Sequence, residues 1–250
     1  MRNFALLLLA VSVAIAQPAP KRDLTGIWTP ENPIQGIQPN GPFSMPADNK
    51  PEHQLPYTAA GLAAFKKNHP SNGPTEVAAA EENDPAHVCD PQGFPRENFF
   101  ELRATQFLQT PVQVVMLYTY NKVWRNIWTD GRALPKDPDP SWFGNSVGKW
   151  VDDSNFVITT NGTDARTWLD NSGRPHSEDL VVEERYHRMD QNTMELTTTV
   201  NDPTYYTRPW VAQDKLKMKL LPPTTQIPEM MCSPSEIADY NKKHASRGGR

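Results

Sequence analysis

Hydrophobic and polar positions alternate through most of the second half of the chain. Lys215-Leu216-Lys217-Met218-Lys219-Leu220 is the clearest case. A period of two puts its lysines on a wet face and Leu, Met and Leu on a core. Runs of the same kind span 24–29, 112–120, 123–129, 146–151, 156–160, 180–188, 193–200 and 205–211, giving about nine short strands. Tight-turn residues separate several of them: Asn121-Lys122, Asp130-Gly131, Asp152 to Asn155, and Asp190 to Asn192. Within 180–188 the period places Glu183, Arg185 and His187 on one face and Glu184, Tyr186 and Arg188 on the other. Two short stretches switch to helical spacing. Thr58 caps one that runs through Leu62 and Phe65 to about Asn68. Ser233-Pro234-Ser235-Glu236 is a capping box with proline at the first helical position, opening a helix to about Lys243. No strand–helix–strand alternation is present. The expected fold is therefore all-β: an antiparallel meander closing into a lipocalin-like barrel or a strongly curved sheet, with two short peripheral helices.

The ends and the first third of the chain have another character. Arg2, an apolar run from Phe4 to Val13 and then Ala14-Ile15-Ala16 follow the order of a secretory signal, with cleavage before Gln17. The run is too short for a permanent membrane anchor. The pattern divides the chain into a signal peptide (1–16), a proline-rich segment with one strand and one helix packed on the main domain (17–102), the β domain (103–232), and a terminal helix with a frayed tail (233–250). Export brings oxidising conditions. Cys89 and Cys232 are the two cysteines, and a bridge between them is expected. The alternatives are two free thiols or a reactive nucleophile.

Composition sharpens this reading. The chain has 25 prolines against 13 glycines, about twice the usual proline share of roughly 5%. So much proline disfavours a mainly helical protein. A net charge of −4 offers nucleic acid or an anionic membrane no electrostatic attraction. The expected partner is a small molecule, and the charge pattern says nothing of oligomeric state.

Three stretches carry a resemblance. They are Arg125-Asn126-Ile127-Trp128-Thr129-Asp130-Gly131-Arg132, Ser146-Val147-Gly148-Lys149-Trp150, and Arg166-Thr167-Trp168-Leu169-Asp170 continuing to Gly173-Arg174-Pro175-His176-Ser177-Glu178. With Asp202-Pro203 and Tyr206-Thr207-Arg208-Pro209-Trp210 they resemble a widespread family of secreted bacterial proteins of unknown function, from about Asp23 to Tyr240. Members tend to carry cysteines matching Cys89 and Cys232. The resemblance implies no activity. Gly26-Ile27-Trp28 also resembles the opening strand of lipocalin-like barrels.

Candidate chemistry centres on the loop before residue 180. His176 is a potential acid or base near neutral pH, with Glu178 or Asp170 to orient it and Arg166 to hold an anionic group. The bland alternative is a structured loop whose polar groups bond the local backbone. Trp168, Trp128, Trp150 and Arg125 are candidate ligand contacts, the tryptophans being equally suited to core packing. Pro175 and Gly173 flank the histidine tightly, so His176→Ala is expected to remove function at a stability cost below about 1 kcal/mol. Gly144-Asn145-Ser146-Val147-Gly148 fits the nucleophile-elbow pattern, but strand follows it where a helix is required. Six scattered histidines lack metal-ligand spacing, and neither phosphate-binding glycine motif is present. No metal and no cofactor are expected. The function expected is that of a secreted small-molecule-binding protein on a β-barrel. The alternative is a cofactor-independent enzyme using acid–base chemistry in the same pocket.

Overall fold

The structure is a computed structural model that describes residues 18–245 apart from 40, 42, 47, 49, 79, 80 and 101; the signal segment 1–16 lies outside the described residues. Nine strands form one closed barrel. They are β1 (Gly26–Pro30), β2 (Thr105–Gln109), β3 (Gln113–Leu117), β4 (Trp124–Trp128), β5 (Asn145–Trp150), β6 (Asn155–Asn161), β7 (Val181–Arg188), β8 (Thr193–Asn201) and β9 (Trp210–Leu220). Each pairs with its sequence neighbours, and β1 closes the ring against β9 through Trp28↔Leu220 and Pro30↔Met218. The strand of the proline-rich segment is thus itself a barrel stave.

Local chemistry accounts for several junctions. Asn121 and Lys122 both take positive φ, 52° and 53°, the left-handed pair that a tight hairpin turn needs. Gly26 lies at φ 138°, where an added Cβ would meet Leu220 Cδ1 at 2.5 Å.

The barrel departs from a pure antiparallel meander at one place. β4 and β5 pair in parallel, over only two register positions, Ile127↔Ser146 and Trp128↔Val147. The proline-rich loop between them returns the chain to the end from which β4 began. Two strand assignments also change. Residues 105–109 form β2, which sequence reading passed over, while 205–211 and 215–220 belong in part to one strand, β9, which bends where Lys215 takes φ 51° and the register against β8 shifts.

The helices number three among the described residues, not two: α1 (Ala59–Phe65), the single turn α2 (Arg96–Phe99) and α3 (Pro234–Ala245). Thr58 caps α1 as expected, its Oγ1 accepting from Gly61 N at 3.0 Å. Cys89 and Cys232 form a disulfide across a separation of 143 residues. It ties the long β1–β2 connection to the segment before α3.

The barrel interior is layered. One apolar cluster holds Trp28, Phe107, Met116, Ile127, Phe156, Tyr186, Leu196 and Met218. A second, roofed by the β1–β2 connection, holds Ile37, Phe94, Phe99, Leu169, Val182, Val200, Tyr206 and Trp210. Between Val182 and Tyr186 on β7 comes Glu184, and between Val200 and Leu196 on β8 comes Thr198; both are fully buried. With Arg125, Ser146, Thr160, Asn98 and Gln213 they form a polar layer separating the two clusters. Glu184 and Arg188 therefore face inward, and Glu183, Arg185 and His187 outward, as the period of two requires.

Candidate functional site

The segment between β6 and β7 folds back on itself. Asp164 accepts from Arg166 N at 2.9 Å, and Asp170 from Ser172 N at 3.0 Å. Leu169 N donates to Arg174 O at 2.7 Å, and Trp168 bridges to Pro175. Gly173, at φ 75°, makes the reversal between them. Helix α1 lies against this loop. Gly61 lets it approach the β8–β9 connection so closely that an added Cβ would fall 2.1 Å from Tyr205 O, and Asn68, just past the helix, donates through Nδ2 to Gly173 O of the loop at 2.7 Å. The segment around Asn83 supplies a third wall, its side chain bridging His69 N and Lys67 O.

Together these elements border an open cleft of about 650 Å³. Arg166, Trp168 and His176 line it, facing Ala64 and Lys67 of the α1 region and Asp90. Three of the residues singled out for their chemistry therefore meet in one place. The Arg166 guanidinium forks onto Asp164 at 3.0 and 2.6 Å and stacks over Trp142 with Cζ 4.5 Å from the ring centre. Its charge is largely exposed.

His176 sits at the cleft floor and is buried. Its Nδ1 lies 3.0 Å from the Ser177 carbonyl, which can only accept, so Nδ1 carries a proton. Nε2 lies 2.7 Å from Thr167 Oγ1. The single hydroxyl proton of Thr167 serves either Nε2 or the Asp164 carbonyl at 3.0 Å. Burial pushes the imidazole below its ordinary pKa, against the Ser177 carbonyl and the charges of Asp202 and Asp164, which pull upward. The ring is accordingly neutral near pH 7.

The expected acid–base partners are not beside it. Ser177 is clamped to Asp202 through its backbone N and its hydroxyl, both at 2.7 Å, and Leu180 N turns back to Ser177 O. This turn leaves Glu178 exposed, lining a separate groove with Asp137 and Asp139. Asp170 is buried in an ion pair with Arg174 at 2.5 Å. Neither carboxylate contacts the imidazole. Burial also corrects the expected cost of removing His176, since the ring fills space and makes two hydrogen bonds.

The remaining predicted contacts lie elsewhere. Trp150 packs beside Phe156, 5.1 Å between ring centres, against the barrel core. Trp128 lies on an outer groove under Arg132, whose Cζ is 3.8 Å from its ring. Arg125 also borders that groove, but its charge is turned inward to Glu184. Ser146 is a barrel residue, its Oγ accepting from Arg125 Nε at 3.0 Å and lying 2.9 Å from Thr160 Oγ1. It is no exposed nucleophile. Sequence reading missed the contributions of α1 and of Asp90 to the cleft; their local signals, the Thr58 cap and the Asp90-Pro91 turn, say nothing of where they pack.

No family model, no curated protein and no solved structure matches the chain. Among the described residues no helix is long and apolar enough to cross a membrane.

Proposed function

We propose that this is an exported small-molecule-binding protein, of the secreted family its motifs resemble, whose ligand occupies the cleft between α1 and the 164–178 loop. The observation that carries this reading is the convergence of Arg166, Trp168 and His176 on that one cleft. A volume of about 650 Å³ suits a small ligand. Lys67, Arg166 and Asp90 offer it charge at the rim, and Trp168, Pro175 and Ala64 offer an apolar bed. Binding is favoured over acid–base catalysis because His176 has hydroxyl and carbonyl partners and no carboxylate. The disulfide supports export, since such bridges persist in oxidising compartments.

Native mass spectrometry of the protein recovered from the cell exterior or periplasm tests the reading. A small molecule retained by the wild type and lost in Ala64→Trp, which fills the cleft, is the expected result. No retained molecule, or retention unchanged in that variant, overturns it.

A further inference from the structure

Glu178, turned away from the imidazole, borders a groove of about 440 Å³ that shares no residue with the cleft beside α1. The end of β6, the β4–β5 loop and the chain entering β7 build it. The loop is pinned at both ends, Asn161 Nδ2 donating to Pro135 O at 2.8 Å and Ser141 N to Gly162 O at 3.0 Å. Between these bonds Pro138 presses on Gly162, where an added Cβ would fall 2.6 Å from its Cγ. Asp137 and Asp139 flank that proline and are exposed on the groove. Glu178 and Asp179 come from the second wall, on the turn that Asp202 clamps through Ser177.

Four carboxylates therefore line the groove against one ammonium, Lys136. None of the four makes an ion pair among the described residues. Asp179 accepts from Thr204 Oγ1 at 2.5 Å, a neutral donor that leaves its charge unmatched. The floor adds polar atoms without partners. Thr163 is 1% exposed, and its hydroxyl has no hydrogen-bond partner among the described residues. Its methyl group is turned to Gly144, 3.0 Å from where a Cβ would stand there, which leaves the hydroxyl as the polar atom it presents to the groove. Pro135 O can only accept, so it fixes the Asn161 amide. The Oδ1 of that amide is also buried and unpartnered among the described residues. The carboxylates do not converge on one point: among the described residues no three Asp, Glu, His or Cys side chains come close enough to hold a metal ion. Negative charge is instead spread along a groove whose floor accepts hydrogen bonds. The matching ligand carries positive charge at more than one place and N–H donors between.

We propose that this groove is a second ligand site, for a linear aliphatic di- or polyammonium. One ammonium pairs with Asp137 and Asp139 on the loop, and another with Glu178 and Asp179 on the opposite wall. The N–H donors reach Asn161 Oδ1 and Thr163 Oγ1, and the methylenes lie on Pro138. The site is independent of the ligand in the cleft beside α1.

The test is calorimetric titration of the disulfide-bonded protein with spermidine, n-butylamine and calcium chloride in turn, at low salt and neutral pH. Spermidine is expected to bind at submillimolar concentration, and n-butylamine at least about tenfold more weakly, because one ammonium meets one wall only. Asp137→Asn combined with Asp139→Asn is expected to weaken spermidine about tenfold or more. Glu52→Gln with Glu229→Gln removes the same charge from exposed positions outside the groove and leaves binding unaltered. Thr163→Val removes the hydroxyl and keeps the shape. It is expected to weaken spermidine about three- to tenfold without lowering the melting temperature, since that hydroxyl has no partner to lose among the described residues. No spermidine binding at millimolar concentration, equal binding of n-butylamine, equal weakening by the two double variants, full affinity in Thr163→Val, or tighter binding of calcium than of spermidine each overturns the proposal. Loss of the titration in Ala64→Trp would place spermidine in the cleft beside α1 and overturn the groove site alone.

Discussion

The Arg125 guanidinium on β4 pairs with the Glu184 carboxylate on β7, three staves away around the barrel, with both side chains closed to solvent. The rest of the layer is built on this pair. Arg125 also donates to Ser146 Oγ at 3.0 Å and Thr160 Oγ1 at 2.8 Å, and Phe94 covers it with a ring centre 3.8 Å from Cζ. Glu184 accepts from Asn98 Nδ2 at 2.7 Å and Tyr186 Oη at 3.0 Å. Burial alone would lower the Arg125 pKa, but Glu184 and the neighbouring phenols raise it above its ordinary value, so the cation persists at all working pH. The Asn98 bond ties the roof segment to the barrel interior, because Asn98 belongs to α2.

Removing one member of such a pair leaves a buried charge uncompensated. Arg125→Met is therefore expected to cost about 3–5 kcal/mol of stability. Adding Glu184→Gln keeps an acceptor for Asn98 and Tyr186 while removing the orphaned charge, so the double variant should recover much of the loss. Denaturant unfolding of the two single variants and the double variant measures the coupling. Strict additivity would show that the pair is not energetically linked.

Gly148 lies at a tight point of the barrel core. A Cβ there would meet Phe156 Cζ at 2.5 Å and Ile127 Cγ2 at 2.7 Å. Both neighbours are fully buried and have nowhere to go. Gly148→Ala should destabilise by about 1–3 kcal/mol through overpacking. Thermal unfolding of the variant is the check, and an unchanged midpoint would mean that the core yields more easily than its packing implies.

The disulfide closes a loop of 143 residues, for which the chain-entropy model gives on the order of 4–5 kcal/mol. Replacing both cysteines with serine should lower the unfolding midpoint while preserving the β-rich circular dichroism spectrum, because the strand ladder closes without the bridge. Peptide mapping without reductant should recover the Cys89 and Cys232 peptides linked.

His176 links stability to pH. Its folded-state pKa is depressed by burial below the ordinary value of 6.5. The unfolded chain then binds a proton near that value while the folded protein resists, so the unfolded state holds more protons below it. The contribution is fully present above about pH 6.5 and is lost as the pH falls toward the folded-state pKa. Melting temperature should decline on acidification from pH 7.5 to pH 5. His176→Gln, which has no titrating ring, should flatten that limb. It should also cost about 1–3 kcal/mol at pH 7, through the lost bonds to Thr167 and Ser177. An equal pH slope in the variant would assign the titration to another group.

Signals carried by adjacent residues were legible in the sequence by itself. The two-residue period of 215–220 assigned inward and outward faces, and that of 180–188 separated its residues into two faces without saying which was inward, because a pleated chain alternates whatever its partners are. The Asn121-Lys122 turn and the Thr58 cap were equally readable, since each depends on residues within four positions. Tertiary structure decided what depends on distant partners. Thr105–Gln109 is a strand because Gly26↔Phe107 on one side and Phe107↔Met116 on the other complete its ladder, and its own short, glutamine-rich pattern says little. The parallel β4–β5 pair follows from where the long loop returns the chain, which no local period encodes. The same holds for the site. His176 and Glu178, two residues apart, diverge because Asp202, 25 residues beyond Ser177, clamps the turn between them. Arg166, Trp168 and His176 share a cleft because α1, more than 100 positions earlier in the chain, closes over their loop with Asn68 on Gly173. Side-chain chemistry can be read from residue identity, but convergence is a property of packing between segments, and that is fixed only when the barrel closes and its roof settles on it.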